Sequence, residues 1–171
     1  ADPDVRYRAS SGGAATALAL HCLRHEDIDA VAHTAMHESQ PWRNRSVLSH
    51  SPEDLMRCVG SRYAPASPCE LLRGPAVAGK RCLLVGKPCD MHALRKAQAL
   101  DESVRNRFPL AISIFCAGTP ATRGTVDFLD RHGISLEDVS ALRYRGHGWP
   151  GHAAVRCGAE TQDRELADYE E

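Results

Sequence analysis

A chain of 171 residues can bury one substantial core and is too short for two ordinary domains. Its 21 basic and 22 acidic residues give a formal charge of -1 with no long run of either sign, which argues against nucleic acid or an anionic membrane as a partner. No apolar stretch approaches the ~20 residues needed to cross a bilayer and the first residues lack the order of a signal peptide, so the expectation is a cytoplasmic chain without a membrane span.

Ser10-Ser11-Gly12-Gly13 stands ahead of an apolar stripe at helical spacing from Ala14 to Arg24, which predicts a helix with a glycine-bearing, serine-capped entry. Ile28 to Ala35 alternates as a strand, and Arg43 to Ser49 is its candidate neighbour. Ser51-Pro52-Glu53-Asp54 combines a cap, a first-turn proline and acids, and predicts a helix that stops at Gly60. Ser67-Pro68 repeats that signal. The continuous apolar run Arg81 to Val85 predicts a strand covered on both faces, turning through Gly86-Lys87-Pro88-Cys89 into a helix toward Ala99. Leu110 to Phe115 is a second such strand, followed by Cys116-Ala117-Gly118-Thr119-Pro120 and a helix from Ala121 to Arg131. Two successive strand-turn-helix units imply neighbouring parallel strands. Val139 to Arg145 and Ala153 to Cys157 are short further strands around the break at residues 146–151, and the acidic tail beyond them has no core pattern. The expected fold is α/β, with a mixed, mostly parallel sheet flanked by helices and an irregular C-terminal arm.

The chain has seven cysteines, an odd number without a close C-x-x-C pair, which argues against a secreted disulfide scaffold. Cys89 and His92 form a C-x-x-H pair, a weak zinc signal. Cys89 and Cys116 carry the sharper inference. Each follows a predicted buried parallel strand and opens the loop before a helix, so both thiols should face one crevice at the carboxyl ends of the strands. Such a pair could ligate iron or an iron-sulfur cluster, form a reversible disulfide or act as nucleophiles; two buried, inert cysteines are the plain alternative. Ser10 to Gly13 offers hydroxyls, free backbone N–H groups and room for a phosphate, although an ordinary capped helix has the same pattern. Gly60-Ser61-Arg62-Tyr63 adds an arginine and an aromatic ring suited to a phosphate and a flat heterocycle, or a solvated turn. Cys89 and Arg95 also have the C-x5-R spacing of cysteine-dependent phosphatases, but the bulky residues between them read as helix rather than as a phosphate cradle.

Six segments in order complete the reading: Arg6 with Ala9-Ser10-Ser11-Gly12-Gly13, Ser51-Pro52-Glu53-Asp54-Leu55, Gly60-Ser61-Arg62-Tyr63, Gly86-Lys87-Pro88-Cys89-Asp90, Phe115-Cys116-Ala117-Gly118, and Tyr144-Arg145-Gly146 through Gly148-Trp149-Pro150-Gly151. Together they resemble the beta-subunit family of coenzyme F420 (deazaflavin) reducing hydrogenases and formate dehydrogenases, whose relatives include a hydroxymethyl-chlorophyll reductase of plants and cyanobacteria. The resemblance implies a flavin-dependent oxidoreductase that passes electrons between an iron-sulfur cluster and FAD and on to a deazaflavin or related organic acceptor. It places Ser10, Ser11, Gly12, Gly13, Ser61, Arg62, Tyr63, Lys87 and Pro88 around FAD, and makes Cys89 and Cys116 ligands of a [4Fe-4S] cluster. The implied partner is a hydrogenase-, dehydrogenase- or ferredoxin-type electron-transfer protein, with a homodimer left open. Family members usually carry a further C-x-x-C pair, absent here, so residues 1–151 read as the flavin-binding α/β redox domain and 152–171 as the start of a truncated C-terminal region. A catalytically silent docking fragment of a redox complex is the competing reading, and the phosphatase stands third.

Overall fold

The computed structural model describes residues 2–25 and 27–166. A first helix, α1 (Pro3–Arg8), is capped by Asp2, and a tight turn at Ser11–Gly13 leads into α2 (Ala14–His25). Strand β1 (Ala30–Met36) then pairs antiparallel with β2 (Asn44–Ser49), followed by α3 (Pro52–Arg57), whose first turn Ser51 caps by accepting from the Asp54 N–H. Short 3-10 turns at Pro68–Leu72 and Pro75–Val77 precede β3 (Cys82–Gly86), and α4 (Pro88–Leu100) and α5 (Glu102–Arg107) cross to β4 (Leu110–Ser113). The sheet order is β2-β1-β3-β4, with β1, β3 and β4 parallel. This is the expected mixed, mostly parallel sheet flanked by helices.

The period-2 geometry of the strands divides the core in two. Ala30, Ala32, Cys82 and Leu84 face one side and pack with Leu72, Val77, Leu94, Val104 and Phe108. Val31 and Leu83 face the other, against Val5, Ala19, Leu20 and Leu55. A strand buried on both faces has no polar positions to alternate, which is why Cys82 to Val85 reads as one apolar run.

After α6 (Thr122–Arg131), strand β5 (Val139–Arg143) pairs antiparallel with β6 (Ala154–Cys157), and β6 with β7 (Arg164–Glu165). The C-terminal arm is therefore irregular at residues 146–151 and regular beyond them, and the β5–β6 pairing spans residue 151. This second sheet has its own core, in which Phe128, Leu129, Val139, Leu142, Tyr144, Val155 and Leu166 are buried together. Leu166 supplies the core position that the acidic tail does not announce. Among the described residues no helix is long and apolar enough to cross a membrane.

Candidate functional site

The turn from β3 into α4 is built around Asp90, which is 7% exposed. Its carboxylate accepts from the Lys87 backbone N–H at 2.8 Å and pairs with the Lys87 ammonium at 2.9 Å. That ammonium also reaches the Ala66 carbonyl at 3.4 Å. The close approach of strand and helix requires glycine at 86, where a Cβ would lie 2.9 Å from Asp90. Pro88 and Cys89 form the first turn of α4, and Cys89 is exposed. The loop after β4 starts beside them, since the Ile114 N–H donates to the Gly86 carbonyl at 2.9 Å. Cys116, two residues on, is exposed as well. The two thiols thus leave neighbouring turns at the carboxyl ends of parallel strands, and both are exposed rather than buried. β4 is not the strand covered on both faces that its apolar run predicts, because it lies at the sheet edge with Leu110 and Ser113 exposed. Among the described residues no group of three His, Cys, Asp or Glu side chains is placed to hold a metal ion.

A second set of contacts joins segments far apart in sequence. Ser10 Oγ and Ser61 Oγ are 2.5 Å apart, which ties the serine-glycine turn to the Gly60–Tyr63 segment. In that turn Ser11, Gly12 and Gly13 all have positive φ (54°, 77° and 75°). The space around the Gly12 Cα is open, whereas a Cβ on Gly13 would meet Val5 at 2.9 Å. The residues 146–151 loop closes over the N-terminal segment. The Gly148 N–H donates to the Tyr7 carbonyl at 3.0 Å, Tyr7 stacks on His147 at 5.3 Å, and a Cβ on Gly146 would lie 2.5 Å from the Arg8 carbonyl oxygen. Arg8 in turn donates to the Met56 carbonyl at 2.6 Å.

Arg62 lies between the two sheets. It donates to the Leu142 carbonyl at 3.3 Å, while its Nε is buried without a protein partner. Burial pulls the Arg62 guanidinium below the ordinary arginine range, opposed by nearby Cys58 and Tyr144. Tyr63 packs on Tyr144 with ring centres 5.1 Å apart. Close by, His33 on β1 is 6% exposed and bonds through Nε2 to Ser49 Oγ at 2.7 Å. Burial lowers its affinity for a proton, and the Arg62 charge adds to the effect. Burial likewise raises the Cys58 thiol, and it raises Cys69, to which Asp90 and Cys89 add.

The structure therefore links Ser10 to Ser61 directly, and Lys87 to Ala66, a few residues past Tyr63. Sequence reasoning named Asp90 and Gly146 within motifs without giving either a role, and it passed over His33. The Lys87-x-x-Asp90 spacing was a legible capping signal for the first. His33 had no signal beyond a polar residue in an apolar strand. The C-x5-R reading fails on geometry, because Cys89 to Arg95 lies wholly within α4, and Arg95 donates to Gln98 Oε1 at 2.7 Å. A helix has no loop of converging N–H groups to hold a phosphate.

Comparison with known proteins adds family context. A family model for the N-terminal part of the coenzyme F420 hydrogenase/dehydrogenase beta subunit matches residues 1–73, and the companion model for its C-terminal part matches residues 79–171. The coenzyme F420-dependent sulfite reductase of Methanocaldococcus jannaschii is 24% identical over 93% of this chain, and the match spans 27% of that protein. The coenzyme F420 hydrogenase subunit beta of Methanosarcina barkeri is 25% identical over 67% of this chain and 41% of its own length. Among solved structures, the xenon-derivatised F420-reducing [NiFe] hydrogenase complex of Methanosarcina barkeri contains a chain with the same fold. It superposes with a TM-score of 0.71 at 24% identity, over 91% of this chain and 54% of that one. The chain spans about half or less of the length of each of these relatives.

Proposed function

The chain belongs to the coenzyme F420 hydrogenase/dehydrogenase beta-subunit family, and from that premise we propose that it is the flavin-binding part of an oxidoreductase. The flavin is FAD, the other redox group is an iron-sulfur cluster, and the organic partner is a deazaflavin or a related hydride acceptor. The observation that carries this reading is the Ser10–Ser61 hydrogen bond at 2.5 Å, which brings two of the proposed FAD segments together beside Arg62.

The residues suit the group assigned to them. Open space at Gly12 lets a pyrophosphate approach the backbone N–H groups of the turn. The buried, unpartnered Nε of Arg62 is a donor that an anionic group would satisfy. Tyr63 offers an aromatic edge, and the Lys87 ammonium, paired with Asp90, is held at the turn into α4. FAD, when bound, accepts and donates electron pairs; the protein binds it, orients it and sets the charge around it. For the cluster the fit is incomplete. Cys89 and Cys116 are two thiols where a [4Fe-4S] cluster usually takes four. Cys69, whose thiol donates to the Asp90 carbonyl at 3.4 Å, lies by the Cys89 turn, but among the described residues no three ligands are grouped to hold a metal.

A cytoplasmic setting with a hydrogenase-, dehydrogenase- or ferredoxin-type partner completes the proposal. The competing role, a silent docking fragment, draws support from the full exposure of Phe115 and the half exposure of Ile114 beside Cys116. Anaerobic incubation with FAD followed by gel filtration separates the two. A co-eluting flavin band that is bleached by reduced deazaflavin supports the redox domain. A folded, colourless chain that forms a stable complex with an electron-transfer partner supports docking alone.

A further inference from the structure

The geometry points to a separate binding site for a divalent transition cation of the zinc, nickel or copper(II) class, on the outer face of α2, with the His21 and His25 imidazoles as its ligands. His21 lies roughly 12 Å along the helix from Gly13 at 1.5 Å per residue, so this site is distinct from the proposed flavin turn. It rests on different residues, and its fate is independent of the redox reading.

Residues four apart on a helix share one face, and two histidines at that spacing are a recurring way to hold zinc. Both side chains are exposed, so a cation reaches them without being stripped of all its water. Their ring centres are 4.9 Å apart with the planes inclined by 43°. That spacing can be compared with what one shared metal requires. With a metal–nitrogen distance of about 2.0–2.1 Å, each ring centre lies about 3.2 Å from the metal, so two cis ligands place the centres about 4.5 Å apart at 90° and about 5.2 Å apart at a tetrahedral angle. The observed separation falls between these values. The spacing of the two ring centres therefore suits a shared metal with α2 as it stands.

The surroundings support an open, partly hydrated site. Asp2, Ala17, Leu20, Arg24 and the two histidines line one depression of about 210 Å³. One Asp2 carboxylate oxygen accepts from the Asp4 N–H at 2.9 Å, and the second is available to a water on the cation. His25 is the last residue of α2, where the helix carries its partial negative charge. Arg24 opposes the cation. Among the described residues no third His, Cys, Asp or Glu completes a closed shell, so water fills the remaining positions. Nitrogen ligands favour nickel, copper and zinc over magnesium or calcium.

The free cysteines of the chain also attract such metals, so the test must report histidines. The tag-free chain is treated with diethyl pyrocarbonate with and without Ni²⁺, and modification is mapped by mass spectrometry. At ten times the dissociation constant, Ni²⁺ should slow modification of both His21 and His25 about tenfold and leave exposed His50 unchanged. In His21→Ala, shown to be folded by circular dichroism, protection of His25 should disappear because the second ligand is gone. Absence of protection at millimolar Ni²⁺ overturns the site. Undiminished protection of His25 in His21→Ala overturns it equally.

Discussion

Replacing Gly146 by alanine tests whether the 146–151 loop really is clamped onto the N-terminal segment. At Gly146 φ is 122° and a Cβ would lie 2.5 Å from the Arg8 carbonyl oxygen; at Gly148 φ is 110° and nothing lies within 4 Å. The two positions share the backbone penalty and differ in the clash. An L-residue held at such φ costs of order 1–3 kcal/mol, so Gly148→Ala should lose about that much. Forcing a methyl into packed atoms adds about 1–3 kcal/mol, so Gly146→Ala should lose about 2–6 kcal/mol. Retreat of Arg8 is restricted, because its side chain is bonded to the Met56 carbonyl at 2.6 Å and the adjacent Tyr7 carbonyl accepts from Gly148 at 3.0 Å. At about 2–4 °C per kcal/mol for a chain of this size, the extra clash should lower Tm by about 2–12 °C beyond Gly148→Ala. Thermal unfolding followed by circular dichroism reads the difference. Equal Tm values for the two variants would refute the clamp.

Acidification should destabilise the protein through His33. Its native proton affinity is depressed, so as pH falls below the ordinary value of 6.5 the unfolded chain takes up a proton that the native chain does not. Tm should therefore fall from neutral pH toward about pH 5, and His33→Asn should flatten that slope, with His147, also depressed by burial, accounting for part of the remainder. A slope unchanged in His33→Asn would remove His33 from the account. Thiol labelling of the native chain should modify exposed Cys89 and Cys116 first and reach fully buried Cys82 only on unfolding; early labelling of Cys82 would contradict the placement of β3. Leu84→Ala, at a fully buried position between β3 and α4, should cost about 2–5 kcal/mol in a urea titration, and a loss under 1 kcal/mol would mean that face is not packed as described.

Much of the fold was legible because its signals are local. Apolar runs marked β3 and β4, the Ser51-Pro52 and Lys87-Pro88 turns marked helix starts, and alternation marked β1 and β2. Helix α1 was missed because it is six residues long and buries only Val5, so it carries no stripe, although Asp2-Pro3-Asp4 is a cap signal in retrospect. β7 was missed because two exposed residues, Arg164 and Glu165, look the same in a strand as in a loop. In the candidate site, the cysteines at strand ends were readable from topology. The tie from Ser10 to Ser61 spans 51 positions, and no local pattern specifies such a contact. The family resemblance assigned the two segments to one site, and the contact between them is the Ser10–Ser61 hydrogen bond itself.

The most direct test of the central claim is amide hydrogen exchange of the folded chain with and without saturating FAD. Bound FAD should slow exchange at residues 10–13 and 61–63 and at Lys87, with the second sheet beyond residue 152 little changed. Bound FAD that protects a different surface, or no protection anywhere in a folded chain, would contradict it.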